Sequence, residues 1–338
     1  MSELLDSFHR KINYLRLSVT ERCNLNCFYC RPDSYFCKYS PNARPSWLSV
    51  QDYSRITQAF VSLGINKVRI TGGEPLLYPG ILNLVEDISK LKSVKDLSMT
   101  TNAYYLDTMA EQLANSGLHR VNISLDSLQG ETFKKITRNG TFHKVWEGVE
   151  AAIENGLTPV KINVVLLKDI NHQEVKDFAR LTLDRPMQVR FIEFMPMGNY
   201  SHQWKEHFLS LDYVEKVCST LGELQPVEGD HGAGPAHYFR IGKGRGKIGL
   251  ITPLSRHFCS ECNRLRVTAE GKIKPCLFSK EEIDLKPFLG ENYSPESLQE
   301  IIKSSLQYKP NPQEAAGDAL TRVEQLKNGP DAMNQIGG

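Results

Sequence analysis

Three cysteines stand close together near the start of the chain. Cys23, Cys27 and Cys30 fall within the stretch CNLNCFYC, directly after a short apolar run that is typical of a strand. A structural zinc site favours four ligands built from paired cysteines, and the neighbouring sequence offers no fourth ligand. A four-iron cluster held by three thiolates leaves one iron open to a small ligand. The spacing therefore favours an iron–sulfur centre that can bind a substrate.

A second group of three cysteines lies in the stretch HFCSECNRLRVTAEGKIKPCLF and consists of Cys259, Cys262 and Cys276. Taken alone it is ambiguous, because His257 could complete a Cys3His zinc site. Arg264 and Arg266 lie two apart in a strand-like run and should face the same side. Two guanidinium groups beside a metal suit a ligand that carries phosphate better than a purely structural site.

The elements that must position these residues follow a repeating pattern. Six short apolar runs, each followed by turn residues and a helix-like segment, predict stacked βα units around a parallel sheet. The runs span residues 14–20, 67–71, 96–101, 120–125, 160–167 and 188–195. Ligands of such sheets bind beyond the carboxyl ends of the strands, where the first cysteine group falls. We therefore predict an α/β fold built as a partial (βα)6 barrel related to the TIM barrel.

The pattern changes in the last third of the chain. Gly- and Pro-rich sequence at 229–249 follows the sixth unit, and short strand-like pieces surround the second cysteine group. We predict a barrel domain over residues 1–225 and a smaller carboxy-terminal domain over residues 226–338. Helices are expected at 295–306 and 312–327.

Composition limits the class of protein. The 338 residues include 41 Lys and Arg against 39 Asp and Glu, and the net charge of +2 offers no chain-wide attraction to nucleic acid or an anionic membrane. No apolar run approaches the roughly 18 to 20 residues that cross a bilayer, and the charged start does not fit a secretory signal. Eight cysteines are too few for a disulfide scaffold. A cytoplasmic protein is expected, with Cys218 in the core and Cys37 incidental.

Both cysteine groups resemble those of known enzymes. The first group, with Phe28 and Tyr29 inside it, resembles that of the radical S-adenosylmethionine (SAM) superfamily, in which the open iron chelates the methionine part of SAM. The segment TGGEP after the second strand is similar to the superfamily's segment for the methionine amine. The second group, the NRLR that follows its second cysteine and the terminal Gly-Gly resemble the GTP 3′,8-cyclase family, also called molybdenum cofactor biosynthesis protein A. The resemblance covers essentially the whole chain.

The resemblance implies an enzyme, a lyase with two [4Fe-4S] clusters and SAM as cofactors. The cluster ligands would be Cys23, Cys27, Cys30, Cys259, Cys262 and Cys276. Contacts to SAM would come from Tyr29, Gly73, Ser124 and Met195. Contacts to GTP would come from Arg16, Lys67, Arg69, Thr100, Lys161, Arg190, Arg264, Leu265 and Arg266. Gly337 and Gly338 would enter the active site and act in catalysis together with Arg16, Arg264 and Arg266.

The implied reaction is the first step of molybdenum cofactor biosynthesis. Reductive cleavage of SAM gives a 5′-deoxyadenosyl radical, which removes hydrogen from C3′ of GTP. The carbon radical then attacks C8 of guanine, and reduction of the resulting aminyl radical gives the product. The product, (8S)-3′,8-cyclo-7,8-dihydroguanosine 5′-triphosphate, passes to the cyclic pyranopterin monophosphate synthase. An electron donor is required, a homodimer is expected by analogy, and neither nucleic acid nor membrane is expected as a partner.

Two departures from the family pattern are visible. The family's TTNG is replaced by TTNA, and Ala103 at its last position would be strained if a positive φ is needed there. The loop at 33–45 lacks the usual acidic, glycine-containing character.

Two other functions are compatible with parts of the sequence. The chain could be a radical SAM enzyme that modifies a peptide and uses the second cluster as an electron carrier, although such enzymes usually carry more cysteines. It could also be a zinc-binding nucleic-acid module that uses the basic stretches at 240–247 and 264–274. The small net charge and the barrel pattern weigh against that module.

Overall fold

A computed structural model of the chain describes residues 3–30, 48–195, 201–229, 234–256, 258–279 and 281–313. Several predicted features lie outside these residues: the loop at 33–45 with Cys37, His257, most of the helix at 312–327, and Gly337 and Gly338.

Twelve strands of the described chain form one sheet. They are β1 (Tyr14–Ser18), β2 (Lys67–Thr71), β3 (Asp96–Thr101), β4 (Arg120–Ser124), β5 (Lys161–Leu166), β6 (Gln188–Glu193), β7 (Leu224–Val227), β8 (Ala236–Ile241), β9 (Lys247–Ile251), β10 (Arg264–Val267), β11 (Lys272–Lys274) and β12 (Ile283–Asp284). Strands β1 to β6 are the six predicted runs, and each lies parallel to the next. The prediction of stacked βα units around a parallel sheet is therefore confirmed.

The α-helices of the same residues fill the connections. They are α1 (Val50–Ser62), α2 (Ile81–Ser89), α3 (Leu106–Asn115), α4 (Gly130–Thr137), α5 (Phe142–Glu154), α6 (Val175–Asp184), α7 (Ser201–His207), α8 (Asp212–Cys218) and α9 (Pro295–Ser305). Helix α3 buries Leu106, Ala110 and Leu113 along one face, as their helical spacing requires. Cys218 is buried at the end of α8, as predicted, and burial raises the pKa of its thiol to about 12. Among these helices none is long and apolar enough to cross a bilayer.

Alternation along each strand separates the core from the interior of the barrel. In β1, Leu15 and Leu17 are fully buried in the hydrophobic core, whereas Tyr14 and Arg16 line a cavity on the other face. This separation follows from the two-residue period of side chains in a strand. The parallel strands thus carry polar side chains into the interior in matched positions.

Strands from the carboxy-terminal half extend the barrel sheet at both edges. Strand β10 pairs in parallel with β1, and β9 pairs in parallel with β6. Strands β11 and β12 continue one edge, and β8 and β7 continue the other. The division near residue 225 remains a prediction.

The turn after β3 contains the replacement noted in the sequence. Ala103 is fully buried with a φ of 61°, in the left-handed region that glycine adopts freely. Its amide donates a hydrogen bond of 2.9 Å to the Thr101 hydroxyl, which helps to hold the turn. The left-handed conformation costs a non-glycine residue about 1 to 2 kcal/mol.

Candidate active site

A cavity of about 370 Å³ lies against the inner face of the barrel strands and the loops that follow them. All six cysteines of the two groups line it: Cys23, Cys27, Cys30, Cys259, Cys262 and Cys276. The other predicted residues that line it are Arg16, Tyr29, Lys67, Arg69, Gly73, Thr100, Ser124, Lys161, Arg190, Met195, Arg264 and Arg266. Leu265 does not line it, because its side chain lies in the hydrophobic core on the other face of β10. One cavity therefore joins two thiol groups that are more than 200 residues apart in sequence.

The backbone before the first cysteine group packs directly on the glycines after β2. The amide of Gly73 donates to the Thr20 carbonyl at 2.6 Å, and the amide of Glu74 donates to the Arg22 carbonyl at 2.7 Å. A Cβ added to Gly73 would lie 2.3 Å from the Arg22 carbonyl oxygen. Only glycine permits this approach, so the TGGEP segment fixes the chain that leads into Cys23.

The glutamate of the same segment reaches the cysteine loop through a second contact. Glu74 is fully buried and accepts hydrogen bonds of 2.7 Å from both the Thr101 hydroxyl and the Asn102 amide. The Asn102 side-chain nitrogen lies 3.6 Å from the Cys23 sulfur. Burial raises the pKa of Glu74 to about 7. A buried carboxyl thus holds the side chain that faces the first cysteine.

The first cysteine group lies in surroundings that disfavour free thiolates. Burial, the charge of Asp126 and the two neighbouring thiols raise the pKa of the Cys27 thiol well above its ordinary value. The Tyr29 hydroxyl donates to Asp126, which also accepts a 2.8 Å hydrogen bond from the Val165 amide. Three thiolates at this place therefore need cations such as iron to balance their charge.

The second cysteine group lies beside cationic side chains, whereas the first lies beside the acidic Asp126. Burial alone would raise the pKa of the Cys262 thiol, but Lys309, Arg264 and Arg266 lower it below its ordinary value. The Lys309 ammonium lies 3.8 Å from the Cys262 sulfur. A thiolate is thus favoured at Cys262.

The donors at both places fit iron–sulfur clusters. Both groups offer three thiols, and a cluster takes each thiolate on a different iron. A zinc ion with sulfur ligands at about 2.3 Å would draw those sulfurs together on one point. Across the described ranges, no three His, Cys, Asp or Glu side chains converge in the manner of a single-ion site.

A row of arginines crosses the inner face of the sheet. Because β10, β1, β2, β3 and β4 pair in register, Arg266, Arg16, Arg69, Ser98 and Arg120 stand side by side. Asp96 neutralises Arg120 through an ion pair of 2.6 Å. Burial, with the other arginines adding to it, lowers the pKa of Arg16 well below its ordinary value and the pKa values of Arg69 and Arg266 to about 10. Crowded, buried guanidinium groups favour an anionic ligand.

Several buried polar atoms of the cavity-lining residues have no hydrogen-bond partner among the residues that the structure describes. They are the Tyr14 hydroxyl, Thr100 Oγ1, Asn163 Oδ1, Arg190 Nε and Arg266 Nη1. Buried polar groups are nearly always bonded in folded proteins. These atoms therefore indicate a ligand with many polar atoms.

Some residues that line the cavity were not predicted from the sequence, among them Tyr14 and Tyr238. Tyr14 lies between Arg69 and Arg264, whose guanidinium carbons are 5.4 and 5.5 Å from its ring centre. The two-residue period of a strand puts Tyr14 on the same face as Arg16, so this period is the signal that predicts it. Tyr238, whose ring centre lies 6.0 Å from the Lys161 nitrogen, arrives from β8 through pairing with β9, and no local signal predicts it.

Comparisons with known proteins agree with this geometry. Residues 17–182 match the family model of the radical SAM superfamily, and residues 187–315 match that of Molybdenum Cofactor Synthesis C. The GTP 3′,8-cyclase of Listeria monocytogenes serotype 4b is 43% identical over 339 residues, which cover 100% of both chains. The GTP 3′,8-cyclase of Geobacter sulfurreducens is 47% identical over 308 residues, covering 91% of this chain and 93% of its own.

A solved structure shares the fold. Streptococcus suis SuiB bound to S-adenosylmethionine superposes with a TM-score of 0.57 at 17% identity, over 94% of this chain and 71% of that one. At this identity the likeness supports the radical SAM fold and nothing finer. On the full-length identity to its relatives and the two family matches, the chain belongs to the GTP 3′,8-cyclase family of the radical SAM superfamily.

Proposed function

We propose that the protein converts GTP to (8S)-3′,8-cyclo-7,8-dihydroguanosine 5′-triphosphate, the first step of molybdenum cofactor biosynthesis. The observation that carries this proposal is the row of arginines, of which Arg16 and Arg266 are buried and Arg69 is half-buried, in the same cavity as both cysteine groups. A triphosphate supplies several anionic oxygens, each able to accept hydrogen bonds from guanidinium groups. A peptide substrate gives no comparable reason to place Arg16, Arg69 and Arg266 side by side on the inner face of the sheet.

Each cofactor is assigned to residues that fit it. Cys23, Cys27 and Cys30 would hold one [4Fe-4S] cluster, with Tyr29, Gly73, Ser124 and Met195 beside them for SAM. Cys259, Cys262 and Cys276 would hold the other. When bound, the first cluster and SAM supply the radical chemistry that starts the reaction.

The chain's own residues bind and orient the nucleotide. Arg16, Arg264 and Arg266 would grip the triphosphate, with Lys67, Arg69, Thr100, Lys161 and Arg190 completing the contacts. Leu265 could contribute only through its main chain, because its side chain faces the core. Fixing the phosphates at one end holds the ribose in a defined place, which lowers the entropic cost of reaction.

Apolar residues around the first cysteine group would keep water out. Phe194 is buried with its ring centre 6.2 Å from that of Tyr29, and Phe28 packs edge-on to Tyr29 at 5.6 Å. Excluding water protects reactive intermediates from side reactions.

The remaining assignments rest on the family resemblance. Gly337 and Gly338 would enter the active site, and the barrel would end near residue 225. The product would pass to the cyclic pyranopterin monophosphate synthase, an electron donor would reduce the enzyme, and two copies would form a homodimer.

An anaerobic assay tests the reaction. The protein is reconstituted with iron and sulfide, supplied with dithionite, SAM and GTP, and assayed for 5′-deoxyadenosine and the cyclised nucleotide. Wild type should form both, Cys259→Ser should form no cyclised nucleotide, and Cys218→Ala should match wild type because Cys218 lies outside both cysteine groups. Cleavage of SAM without a cyclised nucleotide would refute GTP as substrate, and a protein that binds no iron would refute the radical mechanism.

A further inference from the structure

Two buried cations from distant parts of the chain meet at the second cysteine group. Arg10 lies just before β1 and is 8% exposed, and Lys309 follows α9 and is 3% exposed. We call this pair the cation clasp. Neither residue lines the cavity, so neither is expected to touch the nucleotide.

Lys309 connects the two stretches that carry Cys262 and Cys276. Its ammonium lies 3.8 Å from the Cys262 sulfur and donates to the Arg264 carbonyl at 2.9 Å. It also donates to the Pro275 carbonyl at 3.2 Å, one residue before Cys276. One side chain thus sets the distance between the loops of two cysteines.

Arg10 connects the third cysteine to the same segment. Its guanidinium donates to the Cys259 carbonyl at 2.8 Å and to the Pro310 carbonyl at 2.9 Å. Because Pro310 directly follows Lys309, the clasp reaches all three cysteines. Asp6 neutralises the guanidinium through a 2.6 Å ion pair.

The charge of Lys309 is balanced differently. Its contacts within the described residues are two carbonyls and one thiol, with no carboxylate among them. Burying an ammonium is costly unless an opposite charge or good hydrogen bonds compensate. A thiolate-bound cluster supplies negative charge at this place, and an added electron increases it.

We propose that Arg10 and Lys309 are positioning residues of the second cluster, holding its three cysteines in place. The Lys309 charge in addition stabilises the reduced cluster and so raises its midpoint potential. This inference rests on the proposed second cluster.

The test uses the full-length chain carrying Cys23→Ser, Cys27→Ser and Cys30→Ser, so that bound iron reports on the second site alone. Iron retention against a chelator and a redox titration followed by electron paramagnetic resonance are measured in this parent, in Lys309→Met and in Arg10→Gln. Lys144→Met is the control, since Lys144 pairs with Asp107 and this pair joins helices α5 and α3.

Lys309→Met should bind iron at least about 10-fold more weakly, because the loss of an outer-shell partner generally weakens a metal site by this much. The midpoint potential of the second cluster should shift to a more negative value. Arg10→Gln should weaken iron retention with a smaller shift in potential, because Asp6 already neutralises Arg10. Lys144→Met should match the parent.

Equal iron retention and an equal potential in Lys309→Met would overturn the clasp, even if its melting temperature fell, because the role would then be purely structural. Should Lys309→Met fail to fold, Lys309→Arg keeps the charge but alters the contacts. Weaker iron retention in Lys309→Arg supports the proposal, and unchanged retention overturns it. An iron-free parent would overturn the second cluster and the clasp together.

Discussion

The charges of Arg16, Arg69 and Arg266 lower the free energy of unfolding of the ligand-free protein. Burial and mutual repulsion lower their pKa values, which means that the folded state holds these charges less readily than water does. The Arg266 Nη1 atom is also buried, and no residue within the described ranges accepts a hydrogen bond from it. An anion in the cavity relieves both penalties, so ligand binding and stability should be strongly linked at this row.

Replacing Arg266 tests that link. Arg266→Met should leave the ligand-free protein as stable as wild type or more so, and should remove most of the stabilisation by GTP. Wild type at a GTP concentration of 100 times Kd should gain about 2.7 kcal/mol. Thermal unfolding with and without GTP measures both effects, with the exposed Arg180→Met as control. An equal rise in melting temperature for Arg266→Met would contradict the assignment.

Glu74 should make stability depend on pH. Its pKa is about 7 in the folded chain against an ordinary 4.5, so folding strengthens its hold on a proton. The protonated Glu74 carboxyl therefore contributes to the free energy of unfolding below pH 4.5, and this contribution is lost as pH rises through about 7. Each unit of difference between the two pKa values corresponds to about 1.4 kcal/mol.

Denaturant unfolding at a series of pH values from about 5 to 8 tests this sign. The free energy of unfolding should fall with pH more steeply in wild type than in Glu74→Gln, and the exposed control Glu131→Gln should keep the wild-type slope. Parallel curves for wild type and Glu74→Gln would show that Glu74 does not titrate in this range.

Among the elements, the ends of β1 and β2 act as one unit. The TGGEP segment contacts the chain before Cys23 through its backbone, and Glu74 adds a side-chain route through Asn102. A substitution in the TGGEP segment should therefore displace the loop that carries Cys23 and weaken the cluster bound there.

Gly73→Ala should disturb the first cluster. The new Cβ would meet the Arg22 carbonyl oxygen at 2.3 Å, so the chain before Cys23 must shift. In a full-length background with Cys259, Cys262 and Cys276 changed to Ser, Gly73→Ala should lose most of its iron. Gly130→Ala is the control, because nothing lies within 4 Å of its added Cβ. Iron contents that match in the two variants would rule out this role for Gly73.

The sequence predicts features that depend on neighbouring residues, but not features that depend on contacts between distant segments. Strands β1 to β6 and the inward face of Arg16 follow from a two-residue period, which any short stretch displays. Tyr238 reaches the cavity, and Arg10 and Lys309 reach the second cysteine group, only through contacts between distant segments. One example is the contact of Lys309 with Arg264, 45 residues away. No local pattern distinguishes such a lysine from a surface lysine, so its place needed the structure.

In the whole molecule, strands of the carboxy-terminal half extend the barrel sheet at both edges. Strand β10 covers the outer edge of β1, and β9 covers that of β6. Unpaired strand edges attract other chains. The predicted division at residue 225 would therefore leave two open edges on the first part.

A chain cut after residue 225 should aggregate or fail to unfold cooperatively, whereas the full chain should do neither. Size-exclusion chromatography and thermal unfolding monitored by circular dichroism measure this difference. A monomeric fragment with a sharp transition would instead support an independent domain over residues 1–225.

The pairing of β1 with β10 also has a consequence for synthesis on the ribosome. Asn13 contacts Asn263, 250 residues later. At a synthesis rate of about 5 to 20 residues per second, β10 is made roughly 10 to 50 s after β1. The TGGEP segment emerges much sooner, so the first cysteine loop can be assembled while the second does not yet exist. The arginine row is complete only when Arg266 has been synthesised, which makes the nucleotide site a late product of translation.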